Sequence, residues 1–98
     1  MGTESALEFA QGMVGVVMYA TPWCPFCVRA RRLLEKKRKT WEEIDVDQSP
    51  ERRGEMQERS GRNTVPQIWI GNRHVGGFEE LLALDRAGEL DALLEEHS

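Results

Sequence analysis

Two cysteines, Cys24 and Cys27, are the residues of this 98-residue chain whose type and spacing point most directly to chemistry. Both lie in the segment Thr21–Cys27 (TPWCPFC), where an apolar run gives way to a helical pattern. Only a thiolate attacks a disulfide, and a free cysteine, with a pKa of about 8.5, is mostly protonated at neutral pH. Because unpaired N–H groups and the helix dipole stabilise an anion at a helix N-terminus, we expect Cys24 to be an exposed, reactive nucleophile. Cys27, one turn further along, is expected to resolve a mixed disulfide.

Three other uses of this cysteine pair compete with a redox role. A structural disulfide that closes so short a loop would stabilise the fold by only about 2 kcal/mol. A zinc site needs about four ligands, and beyond the cysteines the chain offers only the distant His74 and His97. An inert pair in the core is disfavoured by the position between strand and helix and by Pro25, which suits a first helical turn. We therefore predict a redox-active pair and no metal site, with His74 on a strand surface and His97 at a frayed C-terminus.

The helix that begins at the cysteines is strongly basic. Between positions 24 and 39 the only acid is Glu35, and the bases are Arg29, Arg31, Arg32, Lys36, Lys37, Arg38 and Lys39. We expect most of these bases to form a solvated face, and a small contribution to thiolate stabilisation is the alternative.

Hydrophobic periodicity predicts the elements that position the cysteines. The apolar run over 14–20 predicts a strand buried on both faces, and the helical period from 24 to about 38 predicts an amphipathic helix. The further predicted elements are a strand over 40–46, a helix opened by Ser49-Pro50 and ended at Gly61, a strand over 65–70, a strand over 73–75 joined to it by a Gly71-Asn72 hairpin, a helix from 77 to about 88 and a last helix from 90. The order β-α-β-α-β-β-α(-α) predicts one compact α/β structure whose first two strands are parallel.

Composition and charge narrow the class of protein. A hydrophobic share of 40% and a charged share of 31% are typical of one soluble globular domain. The net charge of −4 argues against nucleic acid as a partner, and no apolar stretch reaches the roughly 18 residues of a membrane span. Two cysteines are too few for a secreted disulfide scaffold, so we expect a cytoplasmic protein. Residues 1–13 are expected to be an extension outside a domain that spans 14–98; a short amphipathic helix carrying Leu7 and Phe9 is the alternative.

Three separated motifs fall in order on the predicted elements: Cys24–Cys27 (CPFC), Thr64–Pro66 (TVP) and Gly76–Glu79 (GGFE). This set resembles the dithiol active site, the cis-proline loop and the glycine pair followed by an acid of the dithiol glutaredoxins, a glutathione-linked family of the thioredoxin superfamily. Tyrosine more often stands at the position of Phe26 in that family. The resemblance covers about residues 15–96. It implies a thioredoxin-like α/β fold with a central four-stranded mixed sheet flanked by helices.

The resemblance also implies a glutathione site beside Cys24. A cis bond before Pro66 would leave the Val65 backbone free to pair with the backbone of a glutathione cysteine, whereas a trans proline at a strand edge or turn is the alternative. The N–H groups of Gly77 and Phe78, at a helix start, would bind the γ-glutamyl carboxylate. The implied glutathione-binding set is Thr21, Phe26, Arg53, Thr64, Val65, Pro66, Gly77, Phe78 and Glu79.

The chain departs from the family pattern at Thr21, where many members carry a lysine. One positive charge near the glycyl carboxylate of glutathione is therefore absent. Arg53 or Arg62 could compensate for it. The alternative is that both arginines are ordinary solvent-exposed surface residues. Glu79 is expected to accept from the ammonium group of glutathione.

The activity implied by the resemblance is glutathione-dependent thiol–disulfide exchange on protein disulfides and on protein–glutathione mixed disulfides. Its implied partners are glutathione, as a co-substrate, and disulfide-containing or glutathionylated client proteins, with no metal, no nucleic acid, no membrane and a monomeric state. Two alternatives stay open. One is a redoxin reduced by thioredoxin reductase or by another low-molecular-weight thiol. The other is a glutathione-ligated iron–sulfur carrier, against which the stiffening of the cysteine loop by Pro25 weighs.

Overall fold

The computed structural model describes residues 15–97, and within them eight elements follow the predicted order. The strands are β1 (Val16–Ala20), β2 (Glu42–Asp45), β3 (Gln67–Ile70) and β4 (Arg73–Gly76). The helices are α1 (Pro25–Lys36), α2 (Pro50–Ser60), α3 (Phe78–Arg86) and α4 (Leu90–Glu96). Across this described range, no helix combines the length and the apolar character needed to cross a membrane. The expected extension over 1–13 and the first residue of the predicted first strand, Val14, lie outside the described residues.

Strand β1 lies inside a four-stranded mixed sheet with the order β2-β1-β3-β4. It pairs in parallel with β2 and antiparallel with β3, and β3 pairs antiparallel with β4. These pairings confirm the predicted α/β class, the mixed sheet, the parallel first two strands and the hairpin at Gly71-Asn72. Since β1 is an interior strand, its residues are almost all buried. The strand ends at Ala20, so the cysteine segment begins at an end of the sheet's interior.

Two hydrophobic cores cover the two faces of the sheet, because successive side chains of a strand point to opposite sides. The larger core contains Val16, Met18, Ala20, Cys27, Ala30, Leu34, Ile68, Ile70, Leu81, Leu90 and Leu94. The smaller core contains Tyr19, Ile44, Val46, Met56 and Trp69. Helices α1, α3 and α4 therefore pack on one face and α2 packs on the other. The second cysteine of the pair, Cys27, is part of the larger core.

The ends of the helices follow from individual residues. Cys24 is the N-cap residue of α1, and Pro25, which has no N–H to leave unpaired, is its first helical residue. Helix α1 ends at Lys36 rather than at the predicted Arg38, because Arg38 adopts a left-handed conformation with φ of 60°. Helix α2 ends where predicted, since Gly61 takes a φ of 73° and closes the helix in the left-handed region.

Candidate active site

Cys24 lies where the chain leaves the sheet and enters α1. Its backbone is extended, with φ −75° and ψ 123°, and its carbonyl accepts a hydrogen bond of 3.0 Å from the N–H of Val28. The side chain is half-buried, and its thiol donates a hydrogen bond of 3.6 Å to the carbonyl oxygen of Val65. Cys24 thus stands at the positive end of the helix dipole, which is the environment in which a nucleophilic sulfur anion is stabilised.

Cys27 has a different environment, because its side chain is fully buried behind Cys24. Burial, together with the proximity of Cys24, raises the pKa of the Cys27 thiol to about 12. A hydrogen bond with the backbone of Thr21 and the positive charge of Arg31 lower the pKa of the same thiol, but by less. At neutral pH the Cys27 thiol is therefore protonated. Both cysteines are free thiols, and only Cys24 is placed to react first.

The loop that connects α2 to β3 brings Thr64, Val65 and Pro66 to the cysteine end of α1. The Val65–Pro66 peptide bond is cis, as the resemblance implied. Pro66 is buried, Val65 is half-buried and Thr64 is exposed. Because the Val65 carbonyl faces the Cys24 sulfur, an extended ligand joined to that sulfur would run along this stretch of backbone.

A groove of about 310 Å³ lies between this loop and the start of α3. It is lined by Phe26, Arg62, Thr64, Val65, Pro66, Gly77, Phe78, Glu79 and Glu80. The structure therefore brings together every residue of the expected glutathione site except Thr21 and Arg53. Two further residues complete the lining: Arg62, considered above only as a substitute charge, and Glu80, which the sequence motifs did not single out. The volume is at the lower end of the range for small-molecule sites.

Thr21 and Arg53 do not line the groove, and both are held by neighbouring groups. The carbonyl oxygen of Thr21 accepts a hydrogen bond of 3.1 Å from Nη2 of Arg31. Nη1 of Arg53 donates to Oδ1 of Asn63 at 2.8 Å and to its backbone carbonyl at 3.2 Å. Arg53 therefore braces the loop beside the groove, with part of its guanidinium already engaged.

The start of α3 is capped by a side chain of the same helix. Oε1 of Glu80 accepts a hydrogen bond of 2.6 Å from the N–H of Gly77 and lies 3.5 Å from Nη1 of Arg62. The hydrogen bond from Gly77 lowers the pKa of the Glu80 carboxyl, and partial burial opposes this effect. The Gly77 N–H, expected to bind an anion, is thus occupied, whereas the first-turn N–H groups of Phe78 and Glu79 have no partner within the helix. The three-residue spacing of Gly77 and Glu80, typical of a capping box, is the sequence signal that could have revealed this contact.

A part-buried hydrogen-bond chain, formed by Thr64, Gln67 and His74, supports the loop from behind. Nε2 of the fully buried Gln67 donates to the carbonyl oxygen of Thr64 at 3.0 Å and to its Oγ1 at 3.2 Å. Oε1 of Gln67 lies 2.8 Å from Nε2 of His74, and since an amide oxygen only accepts, His74 is the donor. The His74 ring also packs against Trp69, with ring centroids 4.6 Å apart. His74 therefore lies on a strand and is half-buried, as a strand-surface residue can be, but its ring is engaged by Gln67 and Trp69 rather than left in solvent.

The second histidine differs from its expected role. A Cβ atom added to Gly71 would lie 2.3 Å from the His97 ring, so this ring packs on the β3–β4 turn rather than fraying into solvent. Over residues 15–97, no group of three or more His, Cys, Asp or Glu side chains is arranged to hold a metal ion.

Comparisons with known proteins agree with this geometry. The family model described as Glutaredoxin matches residues 16–75, which include both cysteines and the cis-proline loop. The chain is 55% identical over 82 residues to the glutaredoxin of Pseudomonas aeruginosa, covering 84% of this chain and 98% of that protein. It is 46% identical over 83 residues to glutaredoxin 3 of Escherichia coli, covering 85% of this chain and 100% of that protein.

Solved structures show the same likeness in three dimensions. The crystal structure of a buckwheat glutaredoxin–glutathione complex matches with a TM-score of 0.79 and 27% identity, over 95% of this chain and 90% of that chain. The fold is therefore the thioredoxin-like fold that the resemblance implied. With a family model that spans more than half of the sequence and relatives matched over nearly their whole length, the chain belongs to the glutaredoxin family.

Proposed function

We propose that this protein reduces protein disulfides and protein–glutathione mixed disulfides with electrons from glutathione, with Cys24 as the nucleophile and Cys27 as the resolving thiol. Membership of the glutaredoxin family makes it a thiol–disulfide oxidoreductase. The observation that carries the finer proposal is the place of the Cys24 thiol, which lies at the start of α1 and 3.6 Å from the Val65 carbonyl. A glutathionyl group on that sulfur would find free peptide backbone at the distance that short antiparallel pairing requires.

With a protein–glutathione mixed disulfide, one sulfur of the enzyme is enough. The Cys24 thiolate attacks the glutathione sulfur, a Cys24–glutathione bond forms, and the client leaves as a thiolate that takes up a proton. A second glutathione thiolate then attacks the bound glutathione sulfur. Glutathione disulfide leaves and the Cys24 thiolate is restored, so Cys27 is not required for this route.

With a protein disulfide, both cysteines take part. Cys24 forms a mixed disulfide with one client sulfur, and the second client sulfur leaves and takes up a proton. Cys27 then loses its proton and attacks the Cys24 sulfur, which releases the first client sulfur as a thiol and leaves a Cys24–Cys27 disulfide for two glutathione molecules to reduce. The raised pKa of Cys27 supports this order, because a thiol protonated at neutral pH does not compete with Cys24 for the client.

The groove supplies the contacts proposed for glutathione. Its γ-glutamyl carboxylate would meet the free N–H groups of Phe78 and Glu79 at the start of α3, where the helix dipole favours an anion. The side chain of Glu79 would accept from the ammonium group, and Arg62, ion-paired with Glu80 at the start of α3, would add positive charge at the same end of the groove. Thr64, Pro66 and Phe26 supply the walls.

We extend the proposal to the extent of the domain, the oligomeric state, the location and the clients. Residues 14–98 form the functional domain, the protein acts as a monomer in the cytoplasm, and its clients are proteins with exposed disulfides or glutathionylated cysteines. Two cysteines are too few for a secreted disulfide scaffold, and this supports a reducing compartment.

Single cysteine variants test the proposed function. We expect Cys24→Ser to abolish activity in an assay coupled to glutathione reductase, both with a glutathionylated peptide and with a disulfide-bonded protein. Cys27→Ser is the matched control: it should keep activity on the glutathionylated peptide and lose activity on the protein disulfide. Equal activity of Cys24→Ser and the wild type would refute the assignment of the nucleophile.

A second candidate is reduction by another low-molecular-weight thiol or by thioredoxin reductase. Thr21 contributes no charge beside Cys24, and Arg53 already donates to Asn63, so the glycyl end of glutathione has fewer free cations than in many family members. Turnover with glutathione and its reductase, compared with turnover with thioredoxin reductase, separates the two candidates. Faster turnover with thioredoxin reductase would favour the second.

A further inference from the structure

The outward side of α1 carries three exposed bases, Arg29, Arg32 and Lys36, which together form what we call the outer basic stripe. With 3.6 residues per turn, their side chains fall within an arc of about 60° on the helix surface. Two neighbouring bases of the same segment, Arg31 and Lys37, differ from the stripe because they form ion pairs. Arg31 is ion-paired at 2.5 Å with a carboxylate of β2, and Lys37 is ion-paired at 2.7 Å with a carboxylate of α3.

Within residues 15–97 the outer basic stripe makes no ion pair, and this includes Glu35, the one acid of the helix, which lies three residues after Arg32. Along the part of the chain from 15 to 97, the ion pairs of this helix and its cap are made by Arg31 and Lys37, not by the stripe. Like charges three and four residues apart on a helix repel and destabilise it, and these are the spacings of Arg29, Arg32 and Lys36. The protein has 17 acidic against 13 basic residues, so the repulsion is not the result of a general excess of bases. An uncompensated stripe on an acidic protein points to a negatively charged partner.

The stripe begins beside the reactive sulfur. The guanidinium carbon of Arg29 lies 5.6 Å from the centroid of the Phe26 ring, and Phe26 lines the groove next to Cys24. Trp23, the residue before Cys24, is 83% exposed, and Phe26 is 45% exposed, which is unusual for large apolar side chains. From Phe26 to Lys36 the helix is about 15 Å long. An extended segment of four or five residues, at about 3.3 Å each, covers that length.

We propose that the outer basic stripe docks a short acidic segment of the client protein while the client's disulfide reacts at Cys24. This proposal rests on the proposed function and names the class of client that the site prefers. The exposed rings of Trp23 and Phe26 would cover apolar residues next to the client sulfur, and the stripe would hold acidic residues further along the client chain. Charge complementarity of this kind raises the rate of encounter more than the affinity. A nucleic acid fits less well, since three bases can neutralise only a few phosphates and the protein as a whole carries a net charge of −4.

Matched substrates and matched variants test the docking. The substrates are two glutathionylated peptides that differ only in a flanking segment, rich in Asp and Glu in one and in Lys in the other. The variant is the double substitution Arg32→Glu and Lys36→Glu, and the control is Arg73→Glu and Arg86→Glu, which makes the same change of charge at exposed positions on β4 and α3. A small uncharged disulfide serves as a third substrate for all three proteins.

We expect the wild type and the control variant to favour the acidic peptide by about tenfold in kcat/KM at low salt, and less at high salt. The stripe variant should lose or reverse this preference while it turns over the small disulfide at the wild-type rate. Equal rates of the wild type on the two peptides, or an equal loss of preference in the control, would overturn the docking proposal. The docking proposal would also be overturned if the wild type turned over the two peptides at equal rates and bound a short single-stranded RNA that the stripe variant did not bind. That result would assign the stripe to nucleic acid. Failure of the wild type on the small disulfide would contradict the proposed function itself.

Discussion

The Glu80 carboxylate accepts a hydrogen bond of 2.6 Å from the backbone N–H of Gly77, and this contact closes the first turn of α3 at the edge of the groove. Glu79, the adjacent acid, lines the same groove and takes no part in the cap. Two neighbouring carboxylates thus have separate roles, one in the structure of the helix start and one proposed for glutathione.

Glu80→Ala should lower the free energy of unfolding by about 1 kcal/mol, because a backbone donor at the helix start loses its partner. Glu79→Ala should leave the free energy of unfolding nearly unchanged and raise the KM for glutathione. Urea unfolding and glutathione titration of both variants check this separation. Because the pKa of Glu80 is lowered in the folded protein, the contribution of the cap is present above about pH 4.5 and is lost as the pH falls further. Equal loss of stability in the two variants would contradict the distinction.

Gly76 and Gly77 should differ in their tolerance of a side chain. Gly76 has a φ of 115°, and a Cβ atom there would lie 2.7 Å from Oε1 of Glu80. Gly77 has a φ of −93°, and its added Cβ would lie no nearer than 3.4 Å to any neighbouring group. We expect Gly76→Ala to cost about 1–2 kcal/mol of unfolding free energy and Gly77→Ala about 0.5 kcal/mol, as measured by chemical denaturation. The reverse order would show that the backbone at Gly76 is not held as described.

His74 should make the stability of the protein sensitive to acid. Burial, together with the charges of Arg62 and Arg59, lowers the pKa of His74 below its usual value, and the charge of Glu80 opposes this. The folded state therefore binds this proton less readily than the unfolded state. Stability should fall as the pH drops through and below about 6.5.

The substitution His74→Phe tests this sensitivity, since it keeps a ring against Trp69 but removes the N–H that Gln67 accepts. We expect it to lower stability by about 1–3 kcal/mol at pH 7.5, because the buried Gln67 oxygen loses its donor, and to flatten the fall in stability toward pH 5.5. The KM for glutathione should also rise, since Gln67 positions Thr64 in the groove. An unchanged pH dependence of unfolding in the variant would assign the acid sensitivity to other groups.

Much of this fold could be predicted because its signals are local. The switch from apolar run to helical period marked the start of α1 at Cys24, and Gly61 marked the end of α2 within one residue. The motif at 64–66 predicted the loop that lies against Cys24. These features depend on residues that are close together in the sequence.

Other contacts could not be predicted. Some join residues that are far apart in the sequence, and others involve a side chain that has several possible hydrogen-bond partners. Nothing near His74 in the sequence indicates that its ring turns inward to Gln67 on the neighbouring strand. Arg53 was expected to face glutathione, and its guanidinium is instead engaged by Asn63, ten residues later. Cys24 and Val65 are likewise 41 positions apart in the sequence, so their contact cannot be predicted until the order of the strands is known.

Cys24 should react first, because Cys27 is held back as a buried, protonated thiol. The most direct measurement is alkylation of the reduced, folded protein at pH 7 with a limiting amount of iodoacetamide, followed by digestion and mass spectrometry of the two cysteines. We expect the label on Cys24, with Cys27 modified only after the protein is unfolded. Labelling of Cys27 before Cys24, or of both at the same rate in the folded protein, would contradict this order of reaction.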